Sequence, residues 1–173
     1  MTFSVRPATP ADACHLPPVE RAAAQAFRAV PQLAWLAAGD VRPIAVHHAC
    51  IRQRTCWVAV DCQDRPVGFL SAETCGQDLH ILEMSVARPV QGRGLGRQLL
   101  ACAIAAARAG GLSGLTLTPF RTVAWNAPFY PTAGFHIIAP SALGPRLAAL
   151  LQLEAEAGLA PGIRCAMRRD VTA

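Results

Sequence analysis

Lysine is absent from this 173-residue chain, so all 16 of its basic residues are arginine. A phosphate-binding loop of the Walker type ends in an obligatory lysine, and that class of nucleotide site is therefore excluded. Long apolar runs are also missing. No window approaches 18 uninterrupted apolar residues, which argues against a membrane-spanning helix. The first residues, Met1-Thr2-Phe3-Ser4-Val5-Arg6-Pro7, do not place a basic stretch ahead of an apolar one, so no secretory leader is expected. Aromatics make up only 6% of the chain, and Tyr130 is the single tyrosine. With few aromatics among scattered arginines, and no basic run longer than Arg168-Arg169, the stacking platforms of a single-strand nucleic-acid binder are lacking.

The seven cysteines, Cys14, Cys50, Cys56, Cys62, Cys75, Cys102 and Cys165, form an odd set without a C-x-x-C pair. His47 and His48 are adjacent rather than one helical turn apart. Paired short-spaced zinc ligands are thus missing, and a cytoplasmic, reduced, metal-free protein is expected. A composition of 53% hydrophobic and 16% charged residues fits one folded domain over 1–173 and rules out general disorder. The net charge of +5 raises nucleic acid or a phosphorylated small molecule as partners, against a purely compositional preference for arginine.

Phe3 to Pro7 alternates as a short strand. Thr9-Pro10-Ala11-Asp12 has a helix-start pattern, and helical character continues to Phe27 with an interruption at Pro17-Pro18. A second helix is expected over 45–54. Strands follow at 56–62, 66–74 and 79–86, joined by turns short enough for antiparallel hairpins. The alanine- and leucine-rich helix 98–109 stops at Gly110-Gly111. Beyond it come strand 112–118, a short helix 126–133, strand 135–139, an amphipathic helix 145–157 and a last strand 163–168. This order predicts an α+β fold with a mixed, mostly antiparallel central sheet flanked by helices, and a helix before the last strand.

The strongest local signal is Gln91-Gly92-Arg93-Gly94-Leu95-Gly96-Arg97, between a strand and a helix. Closely spaced glycines at a helix start let main-chain N–H groups converge, and the helix dipole adds positive potential: an oxyanion or pyrophosphate cradle. Arg88, Arg93 and Arg97 surround it. The dinucleotide fingerprint G-x-G-x-x-G fails, because its sixth position falls on Arg97 or Leu99.

Gln91-x-x-Gly94-x-Gly96 resembles the phosphate-loop signature of the GNAT superfamily of acyl-CoA-dependent N-acetyltransferases. Upstream, Leu82-Glu83-Met84-Ser85-Val86-Ala87-Arg88-Pro89 is similar to that family's fourth strand. Downstream, Asn126-Ala127-Pro128-Phe129-Tyr130-Pro131-Thr132-Ala133-Gly134-Phe135 resembles its second motif, compacted by one residue. The likeness covers about residues 56–139. It implies acetyl-CoA as cosubstrate, no metal, and a small-molecule or peptide amine as acceptor; a homodimer is compatible with it, and membrane or nucleic-acid partners are not implied. Carried over by position, Gln91, Gly92, Arg93, Gly94, Leu95, Gly96 and Arg97 would cradle the pyrophosphate. Met84, Ser85 and Val86 would lie along the pantetheine arm, with Asn126 and Phe129 beside it. Tyr130 would protonate the departing thiolate, the alternative being a core aromatic. Glu83 would accept the amine's proton, the alternative being a surface carboxylate paired with an arginine. His80, three positions earlier, is expected on the opposite strand face and is a weaker candidate base. Trp125 and Phe120 would wall the acceptor cavity or cap the core. The family's final hairpin is expected to be replaced by helix 145–157, whose Glu154 and Glu156 would face an amine or form a solvated face. A non-catalytic acyl-CoA sensor is the alternative function.

Overall fold

Short alternating segments joined by tight turns build most of the sheet. The computed structural model describes residues 2–171. Its strands are β1 (Ser4–Pro7), β2 (Cys56–Val60), β3 (Pro66–Cys75), β4 (Asp78–Val86), β5 (Gly114–Leu117), β6 (His136–Ile137) and β7 (Met167–Asp170). They lie in the order β1-β2-β3-β4-β5-β7-β6. Every neighbouring pair is antiparallel except β4–β5, which is parallel. A parallel pair needs a crossover connection, and the helix α3 (Leu95–Ala109) supplies it. The expected α+β class with a mixed, mostly antiparallel sheet is observed.

The two faces of β3 show how the layers are assigned. Leu70 and Ala72 face α3, while Phe69 packs with Leu16, Val19, Cys50 and Ile51 of α1 (Leu16–Ala24) and α2 (Ile44–Arg52). On α3, Leu95, Leu99, Ala103 and Ala107 recur every four residues and are buried together with Leu100. That stripe is what a 3.6-residue period places on one face. Each fully buried leucine contributes about 2 kcal/mol. The helix is therefore held chiefly by the sheet it covers.

Four expectations need correction. Pro17 and Pro18 do not interrupt a helix: they occupy the first turn of α1, where a missing N–H breaks no intrahelical bond. Helical character does not stop at Phe27 but passes into two 3-10 segments, Gln25–Ala29 and Pro31–Ala38. The last strand is Met167–Asp170 rather than 163–168, because Ile163 and Cys165 bond the irregular stretch Pro119–Arg121 instead of a strand. The final hairpin is kept, since His136 and Ile137 pair with Arg168 and Met167. Helix α4 (Pro145–Glu156) is inserted between its strands instead of replacing it.

Candidate functional site

The glycine-rich turn has the geometry its composition demands. Gly92 and Gly94 adopt φ of 75° and 80°, left-handed values that favour glycine, and Gly94 is the N-cap of α3. No side chain caps this end. The first N–H groups of α3 thus lie open beside the positive end of a 15-residue helix. Gln91 donates from Nε2 to the Val86 carbonyl at 2.8 Å, tying the turn to the end of β4. Of the three nearby arginines, Arg97 borders the adjoining cavity. Arg93 instead holds its guanidinium over the Phe3 ring, 5.6 Å from the centroid, and Arg88 is exposed on the preceding 3-10 turn.

Next to the turn, β4 and β5 part company. They pair only from Asp78–Gly114 to His80–Thr116, while β4 continues to Val86. The Ala87 N–H bonds Val67 on the β3 side. By alternation, Met84 and Val86 turn their main-chain groups the other way, into the gap that β5 has left. Ser85, between them, is buried and donates from Oγ to Glu83 Oε1 at 2.8 Å.

A β-bulge re-aims this strand. Ser71 pairs with Glu83, but Ala72 pairs with Ile81, so Leu82 is left without a partner. Glu73 pairs with His80. Since Ser71 and Glu73 are two apart on β3, Glu83 and His80 share one face of the sheet. The expected opposite-face placement of His80 is therefore incorrect, because one extra residue reverses the alternation. The buried His80 hydrogen-bonds through Nδ1 with Thr116 Oγ1 at 2.9 Å. Burial, and then the positive charges of Arg146, Arg42 and Arg164, push it down to about 4, so its ring is neutral near pH 7.

The 3-10 segment Ala127–Ala133 brings in the second motif. Tyr130 is 6% exposed and packs edge-to-face against Phe129 and Phe135, at centroid distances of 5.3 and 5.7 Å. Burial, followed by the negative charge of Glu83, raises its phenol well above the ordinary range. Asn126 does not cap its own segment. Its Oδ1 accepts the Phe120 N–H at 2.7 Å, and its amide NH2 has no partner among the described residues. Phe120 is buried and Trp125 is 45% exposed, and Phe27 stacks against both.

One cavity of about 1080 Å³ is lined by Glu83, Met84, Ser85, Val86, Gln91, Gly92, Gly94, Leu95, Gly96, Arg97, Asn126, Phe129 and Tyr130, whereas Arg93 lies outside it. That volume is at the upper end for small-molecule sites. Glu20, from α1, also lines it; the sequence offered no signal for this residue. Its carboxylate accepts the Arg42 N–H. Burial, and then repulsion from Glu83, push it up to about 7. From α4, Glu154 accepts the Thr118 hydroxyl at 2.8 Å and pairs with Arg164 at 3.0 Å, whose guanidinium lies over Phe120. Glu154 is thus part of the wall, whereas Glu156 is exposed and bonds only Gln152.

A glycine-rich cradle heading a helix thus lies beside a splayed parallel strand pair, and both open on one cavity. Residues 52–137 match the family model of the acetyltransferase (GNAT) domain. Among solved structures, N-acetylglutamate synthase from Neisseria gonorrhoeae, complexed with coenzyme A and N-acetyl-glutamate, superposes with a TM-score of 0.70 at 16% identity. It covers 100% of this chain, which spans 36% of that one. A PaiA N-acetyltransferase from Thermoplasma acidophilum, in complex with coenzyme A, gives 0.70 at 15% identity over 98% of this chain and 99% of that one. An acetyltransferase of the GNAT family from Staphylococcus aureus gives 0.69 at 11% identity over 99% and 100%. The chain belongs to the GNAT acetyltransferase superfamily. No helix among the described residues is long and apolar enough to cross a membrane.

Proposed function

We propose that residues 1–173 act as one N-acetyltransferase domain, moving an acetyl group from acetyl-CoA to a primary amine by direct attack. One observation carries this: the open N–H cradle of Gln91–Gly96, the free edge of β4, Glu83 and Tyr130 all face a single cavity. The cradle fits a pyrophosphate. Gly92 and Gly94 hold left-handed backbone, the first helix N–H groups have no side-chain cap, and Arg97 adds positive charge. Coenzyme A bound to the Neisseria and Thermoplasma proteins supports the same ligand here.

Acetyl-CoA supplies the thioester carbonyl, and the chain's own groups do the rest. The Met84 and Val86 main-chain edge orients the pantetheine arm, with Ser85, Asn126 and Phe129 around it. A free N–H on that edge faces the carbonyl oxygen, where negative charge builds as the amine nitrogen bonds to carbon. Glu83, held by the Ser85 hydroxyl, takes the amine's proton directly or through water. The carbon–sulfur bond breaks, and Tyr130 delivers a proton to the sulfur. The amine has then lost one proton and the thiol gained one.

The test is a panel of polyamines, amino acids, aminoglycosides and peptide N-termini, each mixed with acetyl-CoA. Thiol release together with an acetylated acceptor is the expected result. Tight acetyl-CoA binding without release on any acceptor would instead establish a sensor.

A further inference from the structure

The cavity wall carries two arginines, Arg42 and Arg146, that make no ion pair with a carboxylate among the described residues. Arg42 enters from the segment ahead of α2 and donates to the carbonyl of Leu82, the residue that the bulge leaves out of register. Its Nε is buried with no hydrogen-bond partner. Glu20 accepts the main-chain N–H of Arg42, and no side-chain ion pair joins the two. Arg146 enters from the first turn of α4. Its Nη2 donates to Thr116 Oγ1 at 3.1 Å and lies 3.5 Å from His80 Nδ1. Arg6, Arg65, Arg164 and Arg168 are each paired with a carboxylate, but among the described residues Arg42 and Arg146 are not.

Guanidinium groups stay charged at every working pH, and holding the Arg42 Nε away from water without a partner is costly, whereas Arg146 is exposed at the cavity mouth. Two of them flank His80, which is neutral and brings no charge of its own. Glu83, on the same β4 face as His80, and the nearby Glu20 supply negative charge to the same cavity. Repulsion between these two carboxylates favours an ammonium group beside them. Phe27, Leu36, Trp125, Leu150 and Leu153 give the cavity an apolar wall.

We infer that Arg42 and Arg146 form a carboxylate subsite, and that the acceptor is a free amino acid with an apolar side chain. This rests on the acetyl-transfer reading above. The amine lies at Glu83, the carboxylate between the arginines, and the side chain along the apolar wall. The half-buried Arg42 guanidinium discriminates against substrates lacking the carboxylate, because its Nε is then left unpaired, and the exposed Arg146 adds attraction at the rim.

The experiment compares matched pairs by thiol release: L-leucine against isoamylamine, and L-phenylalanine against phenethylamine. The amino acid of each pair is expected to have a kcat/KM at least 100-fold higher. Arg42→Met and Arg146→Met, which keep the apolar stem, are each expected to shrink that ratio at least tenfold, through KM. Arg108→Met, on the exposed end of α3, keeps the ratio. Equal rates within each pair, a ratio unmoved in both arginine variants, or preference for phosphoethanolamine would overturn the inference. Binding of L-phenylalanine to the coenzyme A-loaded protein, followed by calorimetry, separates the two proposals. Binding that is lost in Arg146→Met, with no thiol release on any acceptor, removes the transfer reading and keeps the subsite. Thiol release on simple amines, with no L-phenylalanine binding, does the reverse.

Discussion

Replacing Tyr130 by phenylalanine removes one oxygen from the cavity wall and leaves the ring. The two edge-to-face contacts, at 5.3 and 5.7 Å, survive the change. The phenol oxygen has no protein hydrogen-bond partner among the described residues, so no internal bond is lost with it. Stability should therefore stay within about 1 kcal/mol of the parent, or about 2–4 °C in Tm for a chain of this size. The chemical step should respond very differently. A positioned general acid contributes about 100- to 10,000-fold, and the structure places no second hydroxyl on the Ala127–Ala133 wall to substitute for it; Thr132 is exposed and bonds the Phe129 carbonyl. Burial raises the phenol's pKa, so the hydroxyl keeps its proton available across the working pH range. Single-turnover thiol release should fall at least 100-fold in Tyr130→Phe, while acetyl-CoA affinity, measured by calorimetry, changes less than threefold. In the parent, the rate should show no alkaline decline that tracks loss of the Tyr130 proton below about pH 10. Turnover within twofold of the parent would refute the acid assignment. A matching loss of acetyl-CoA affinity would show that the hydroxyl binds rather than protonates.

Glu20 gives a pH-dependent stability test with a definite sign. Its folded pKa is raised above the unfolded value, so the native state holds the proton more tightly, and stability should fall as pH rises from about 4.5 through about 7. Glu20→Gln should remove that slope, raising Tm at pH 8 by a few degrees (about 1 kcal/mol after solvent screening) with little change at pH 4; equal shifts at both pH values would refute the cause. Gly94→Ala forces a side chain into φ of 80° with nothing within 4 Å to clash, so its cost is conformational, about 1 kcal/mol. It should also weaken acetyl-CoA binding at least fivefold by re-aiming the N–H groups of α3, and unchanged affinity would remove the cradle assignment. Glu154→Ala leaves Arg164 without its partner over Phe120 and should cost about 1–3 kcal/mol in denaturant unfolding, whereas a loss below about 0.3 kcal/mol would mean that α4 is not anchored there.

The parts of the fold that were legible in advance are those set by local chemistry. Cys56–Val60, Pro66–Cys75 and Asp78–Val86 are bounded by turns, and α3 shows its period in Leu95, Leu99, Ala103 and Ala107. The cradle was legible for a similar reason, since Gly92 and Gly94 report a backbone requirement at their own positions. The residues 25–38 were not legible. Phe27, Leu33 and Leu36 have no regular period, because 3-10 turns and the Val30-Pro31 break set their directions, and their partners Phe120, Val123 and Leu159 lie far along the chain. Arg42, Arg146 and Arg164 look alike in a chain where arginine is the only basic residue. Only tertiary contact shows that, among the described residues, the first two make no carboxylate ion pair and that the third has Glu154.

The bulge at Leu82 is where a reading by alternation fails most instructively. A strict period of two puts residues three apart on opposite faces, which sends His80 away from Glu83. The register Ser71–Glu83 followed by Ala72–Ile81 adds one residue to β4 alone and restores them to a common face. The same extra residue frees the Leu82 carbonyl to hold Arg42 and bends β4 away from β5, opening the gap into which Met84 and Val86 turn. One irregularity thus sets Glu83 and His80 on a common face and brings Arg42 to the strand that carries the free edge. No residue type announces it: leucine is an ordinary strand residue, and the bulge exists only as a mismatch between two strands.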